Sequence, residues 1–323
     1  MAMFSFLSVL AVTLLSTSIN AMALEKRATL QQVQDYGDNP AGVPMYVNQS
    51  PFGSLRTIRL TITHRYVYVP AKLAVNPGIV VAIHYCTGNA QAYYNGSPYA
   101  TLAERYGFVV IYPSSPHDGS CWDVSSQATL THNGGGDSNS IANMVTYAID
   151  NWGADASKVF VTGSSSGAMM TNVLAATYPT LFAAATVYSG VPAGCFASST
   201  GAVDAWNSTC ANGESTASPE QWADVARAMY LPTYAAPRPR MQVYHGSADA
   251  TLKPQNYAET MKQWSAVWGY DYDAPEQQLE NTPAQGYFKT VWGEGVQGVF
   301  ANGVGHTVPI RGDDDMVFFG YAT

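Results

Sequence analysis

Charge is what this chain has least of. Of 323 residues only 12% are Asp, Glu, Lys or Arg, and the 15 basic and 23 acidic side chains are spread without long runs of either sign. A formal net charge of −8 argues against nucleic acid or any other polyanion as a partner. Long apolar runs are missing as well. Residues 3–15 (MFSFLSVLAVTLL) are uncharged but fall short of the roughly 18 that span a membrane, and no later stretch reaches that length. A soluble mature chain with no membrane partner is therefore expected. The four cysteines fit no zinc-binding spacing, and no histidine stands at ligand spacing from the acidic run Asp313-Asp314-Asp315, so no metal or cofactor is expected. That run reads instead as the cap of a last helix.

The apolar start is followed by Ala21-Met22-Ala23, a small-x-small cleavage pattern, and residues 1–23 read as a signal peptide that lacks a basic leader, since the first basic side chain is Lys26. Residues 24–27 then read as a propeptide ending in the dibasic pair Lys26-Arg27, which resembles a processing site of secretory endoproteases. The mature chain would begin near Ala28, and the expected location is extracellular. In that oxidising setting Cys86, Cys121, Cys195 and Cys210 allow three pairings. Neighbours in sequence, Cys86 with Cys121 and Cys195 with Cys210, are the expected pairs. Asn207-Ser208-Thr209 is a glycosylation sequon and implies a surface loop.

With 47% hydrophobic residues the chain can bury a large core. Short β-branched runs alternate with helical patterns, the signature of a mostly parallel central sheet with helices on both faces. Strands are expected at Gly78–His84, Gly107–Pro113, Lys158–Thr162, Ala184–Ser189, Arg240–His245 and Gly295–Ala301. Helices are expected at Tyr99–Tyr106, Ser138–Trp152, Ser166–Tyr178, Pro219–Tyr230 and Pro254–Trp268. No repeat and no linker is visible, so residues 28–323 are expected to form one domain, acting as a monomer. Residues 191–218, rich in small side chains, read as a loop or small cap.

Gly163-Ser164-Ser165-Ser166-Gly167 lies between an expected strand and an expected helix. That context turns a motif common in Ser- and Gly-rich chains into a nucleophile elbow, with Ser165 at the sharp turn. A serine hydroxyl needs a base, and the base an acid to fix its tautomer. On an α/β-hydrolase fold the chain order is Ser, then Asp or Glu, then His. Only His245 and His306 follow Ser165. His306, in a Gly-flanked loop, is the better base, and His245 reads as a structural histidine at a strand end. Asp249, after that strand, takes the place of the acid. Attack on an ester carbonyl also needs two preorganised N–H donors. One should be the amide of Ser166, the other that of Cys86 or Thr87, in a loop that a disulfide from Cys86 would hold.

The motifs HYCTGNAQAYYNGSPYA, CWDVSSQATLTHNGGGDSNSIANMV, VFVTGSSSGAMMTNV, VYSGVPAGCF, QVYHGSADATLKPQN and GVGHTVPIRGDDDM resemble those of fungal acetylxylan esterases of carbohydrate esterase family 1, relatives of feruloyl esterases and of polyhydroxybutyrate depolymerase-type hydrolases. The resemblance runs from Leu30 to the end. It implies an α/β-hydrolase fold, the roles already given to Ser165, Asp249 and His306, acetylated xylan or its oligosaccharides as substrate, and a part in plant-cell-wall degradation. A feruloyl esterase and a catalytically silent carbohydrate-binding relative are the alternatives. Residues 47–66 depart from the family, which runs from the Met45-Tyr46 pair directly into the equivalent of Val67-Tyr68-Val69-Pro70. Val codons begin with GT and Leu60-Thr61 can be encoded by CTAAC, so this segment reads as a translated intron.

Overall fold

A computed structural model describes residues 29–49, 73–230 and 237–323. The expected leader, residues 1–27, and most of the atypical segment, residues 50–66, lie outside the described residues. In chain order the strands are β1 (Thr29–Val33), β2 (Met45–Gln49), β3 (Ile79–Ile83), β4 (Val109–Pro113), β5 (Val159–Ser164), β6 (Ala184–Tyr188), β7 (Arg240–Gly246), β8 (Gln277–Glu280), β9 (Tyr287–Trp292) and β10 (Val296–Ala301). The helices are α1 (Ala90–Gly96), α2 (Tyr99–Tyr106), α3 (Asp137–Trp152), α4 (Ser166–Thr177), α5 (Ser208–Ala211), α6 (Pro219–Ala228), α7 (Gln255–Trp268) and α8 (Gly312–Phe319).

The strands form one sheet in the order β1-β2-β4-β3-β5-β6-β7-β10-β9-β8. From β4 through β3, β5, β6 and β7 to β10 every neighbouring pair is parallel, and the outer pairs are antiparallel. Successive residues of a strand point to opposite faces. In β3, Ile79, Val81 and Ile83 enter a core shared with Ile141 of α3, Met170 of α4, Trp222 of α6 and Trp264 of α7. Val80 and Ala82 enter a second core with Tyr93 of α1, Leu102 of α2 and Phe318 of α8. A strand apolar at every position is thus explained by helices on both sides, and the architecture is the α/β-hydrolase fold.

Every strand and helix read from the sequence is present, with ends shifted by two residues at most. The elements it did not anticipate are β1, β8, β9, α1 and α5. They carry little apolar periodicity: β8 reads Gln-Gln-Leu-Glu and is exposed throughout, as a polar edge strand is. β2 continues through Val47, which pairs with Ile111, to Asn48 and Gln49, which pair with β1.

The acidic run near the C-terminus also differs from its reading as a cap. Arg311, at the N-cap of α8, makes no side-chain capping bond, and Asp314 pairs with the Arg311 Nε at 2.8 Å. Asp315 is fully buried, accepting hydrogen bonds from Tyr99 (2.7 Å) and Tyr188 (2.8 Å). The Tyr99 hydroxyl lies 3.0 Å from Thr162 Oγ1 on β5. Burial pushes the Asp315 carboxyl up to about 7, against the two phenol hydrogen bonds that favour its charged form. A folded state that binds this proton more tightly than the unfolded chain loses stability as pH rises from about 4 to about 7, by up to about 4 kcal/mol. Asp315→Asn, neutral at every pH, is expected to flatten the melting temperature over that window in thermal unfolding from pH 4 to 8. Parallel profiles for the two proteins would refute the assignment.

Candidate active site

Parallel strands bring their C-terminal ends to one side of the sheet, and the loops leaving β3, β5, β7 and β10 meet there. Between the last residue of β5 and the first of α4 stands Ser165, at φ 55° and ψ −119°. A side chain at such positive φ costs about 1–3 kcal/mol and persists only where its surroundings enforce it. Here they do. The Ser165 N–H donates to the Tyr188 carbonyl on β6, and the Ser165 carbonyl accepts from Met169 in α4, both at 2.9 Å. The glycines on either side are required by space: a Cβ on Gly163 would collide with the carbonyl of Gly167, and one on Gly167 with the carbonyl of Ile83 at the end of β3.

His306, in the loop after β10, places Nε2 2.8 Å from Ser165 Oγ and Nδ1 2.8 Å from Asp249 Oδ2. A carboxylate only accepts, so Nδ1 carries the ring hydrogen and Nε2 is left to take the serine proton. Asp249 follows β7, and its Oδ1 accepts the backbone N–H groups of Thr251 and Leu252, both at 2.9 Å. Burial pushes this carboxyl up, but hydrogen bonds from His245 and His306 and the charge these rings can carry outweigh it and hold Asp249 well below the usual carboxylate range.

Around the oxyanion position the structure separates the expected donors. Ser166 begins α4, and it lines the cleft together with Cys86 and Ser165. Thr87 does not serve: its N–H is taken by the Gly119 carbonyl at 2.8 Å. The disulfides join Cys86 to Cys121 and Cys195 to Cys210. Next to Cys121, the Trp122 N–H donates to Ser166 Oγ (2.7 Å) and the Trp122 indole to the His84 carbonyl (2.8 Å), tying the β3 loop to the start of α4. His84, buried, donates from Nδ1 to Tyr85 O (2.8 Å) and accepts the Ser115 N–H at Nε2 (3.0 Å); burial lowers its pKa. Neither His84 nor Trp122 was singled out from sequence, since nothing local marks a residue that acts by bracing a distant loop.

The sequence reading of His245 as a structural histidine is incomplete: its ring stands 3.2 Å from the same Asp249 oxygen that faces His306. Asn207 caps α5, its Oδ1 accepting the Cys210 N–H at 3.0 Å, in the segment closed by Cys195–Cys210. Just before it, exposed Trp206 reaches the rim of a cleft of about 1630 Å³ that also holds Tyr85, Tyr93, Met169 and Leu252. Among the described residues no cluster of His, Cys, Asp or Glu is placed to hold a metal ion, and no helix is long and apolar enough to cross a membrane.

The chain is similar to known esterases. The chain is 63% identical over 311 residues to acetylxylan esterase A of Aspergillus awamori, covering 96% of this chain and 95% of the relative. It is 61% identical over 317 residues to acetylxylan esterase A of Aspergillus ficuum, covering 98% of each. The structure of an acetyl xylan esterase from Aspergillus awamori superposes with a TM-score of 0.84 at 64% identity, over 91% of this chain and all of that one. The family model described as Esterase PHB depolymerase matches residues 64–272, a span that holds Ser165 and Asp249 and ends before His306. With that match over more than half its length, and relatives above 60% identity across nearly all of it, the chain belongs to the Esterase PHB depolymerase family.

Proposed function

We propose that the protein is a secreted serine esterase that removes acetyl groups from acetylated xylan, acting as a monomer through an acyl-enzyme formed on Ser165. The observation that carries this reading is the approach of His306 Nε2 to Ser165 Oγ at 2.8 Å, with Asp249 2.8 Å behind the other ring nitrogen. As Ser165 attacks the acetyl carbonyl, His306 takes its proton. The Ser166 and Cys86 amides, together with the N-terminus of α4, receive the developing oxyanion. His306 then returns the proton to the departing sugar oxygen, and water, activated by the same imidazole, releases acetate. Near-full-length identity to acetylxylan esterases supports the substrate. The signal-like residues 1–23 support secretion, and the loop position of the Asn207 sequon supports glycosylation there.

Ser165→Ala is expected to lower kcat by about 10⁴-fold or more, and Asp249→Asn by about 10³- to 10⁴-fold with little change in KM, because the imidazole is left in the wrong tautomer. Steady-state hydrolysis of an aryl acetate by purified protein measures both, and an active Ser165→Ala enzyme would overturn the mechanism. The cleft is roomy enough for a larger acyl group, so acetate release from acetylated xylan should be compared with ferulate release from methyl ferulate. Acetate release faster by at least about tenfold, roughly 1.4 kcal/mol in the barrier, is expected. Faster ferulate release would make the protein a feruloyl esterase.

A further inference from the structure

Asp249 is held by a second histidine that the proton transfer does not use. His245, near the end of β7, is fully buried, and its Nε2 lies 2.9 Å from the Leu252 carbonyl and 3.2 Å from Asp249 Oδ2. Both facing atoms are acceptors, so Nε2 carries the ring hydrogen and shares it between them. Nδ1, on the other side of the ring, is buried without a hydrogen-bond partner. A buried polar atom left unpaired costs about 1–3 kcal/mol, and an apolar side chain filling the same space would avoid that cost. Packing alone therefore gives no reason for an imidazole here.

The donors around Asp249 supply a reason. Oδ1 is occupied by two backbone N–H groups of its own turn, whereas Oδ2, among the described residues, faces His306 and His245. His306 changes charge in each catalytic cycle, so without His245 the oxygen that orients the base would have no constant partner. We propose that His245 is a positioning residue for the catalytic acid: its Nε2–H locks Asp249 Oδ2 in line with His306 Nδ1. The assignment rests on the triad of Ser165, Asp249 and His306 being the acting one.

Two polar substitutions separate this role from mere filling. A glutamine amide can place an N–H where Nε2 stands; an asparagine amide reaches only as far as Nδ1. His245→Gln is expected to keep kcat within about threefold of the parent, while His245→Asn loses about 10- to 100-fold with KM within about twofold, the size commonly lost when a partner one step behind a functional ligand is removed. In an Asp249→Asn background the His245→Asn loss should shrink to less than about twofold, since residues acting through one group are not additive. Parental activity in His245→Asn, an equal loss in His245→Gln, or a loss that persists undiminished beside Asp249→Asn would each overturn the proposal. Circular dichroism and melting temperature check folding. If His245→Asn does not fold, His245→Gln decides alone, its retained kcat supporting the proposal and its loss of kcat overturning it. Ser165→Ala assayed in parallel keeps the two readings distinct: residual activity there would sink the triad, and the role of His245 with it.

Discussion

The geometry of the site depends on one backbone residue held where an L-amino acid resists going. Ser165 takes a positive φ because β5 must stop, the chain must reverse, and α4 must begin within a few atoms of the end of β3. The strain is contained by bonds on both sides, to Tyr188 in β6 and to Met169 in α4, and by the absence of Cβ atoms at Gly163 and Gly167. Its consequence is chemical. The Ser165 side chain stands clear of the sheet, and the first amides of a fully buried helix stand beside it, where partial positive charge gathers.

Two buried carboxyls show how a chain with so little charge uses what it has. Asp249 and Asp315 both sit out of water, and burial pushes both toward the neutral form. Around Asp249, two backbone N–H groups and two imidazoles converge, and the carboxylate stays charged, as a partner for imidazolium must. Around Asp315 two phenols are the donors, and the carboxyl rises to about 7. The difference lies in both donors and depth: Asp315 is the more deeply buried and feels the Asp314 charge, while Asp249 has more donors and two imidazoles beside it. Asp315 also does mechanical work: through Tyr188 and Tyr99 it ties α8, which follows the His306 loop, to the two strands that flank the nucleophile elbow.

The walls of the cleft are made differently from its floor. The floor is sheet and helix, fixed by packing; the walls are long connections. One is pinned by Cys86–Cys121 and by the Trp122 bonds to Ser166 and His84, the other by Cys195–Cys210 and the Asn207 cap. Covalent closure adds to the core packing of Trp122, Val124, Val191 and Phe196 by limiting the freedom these segments could regain.

The central strands and their helices were legible in the sequence because each is long, apolar and flanked by turn residues, so local pattern and final structure agree. The proposed nucleophile, acid and base were legible for another reason: chain order on this fold leaves few candidates. What local pattern does not encode is which atoms meet across the sheet. Nothing local shows that Gly119 takes the Thr87 amide, or that Asp315, at the start of a helix, accepts from Tyr99 and Tyr188. His245 reads as a strand-end histidine, and only the fold sets its ring against Asp249. Each of these outcomes is set by groups tens to hundreds of residues apart or by the direction of a turn, and only the folded chain brings such partners within hydrogen-bond distance. The sequence by itself determined the fold class and which side chains are proposed for the chemistry. Tertiary structure alone decided how those side chains are held, because a hydrogen bond depends on position in space and only indirectly on position in the chain.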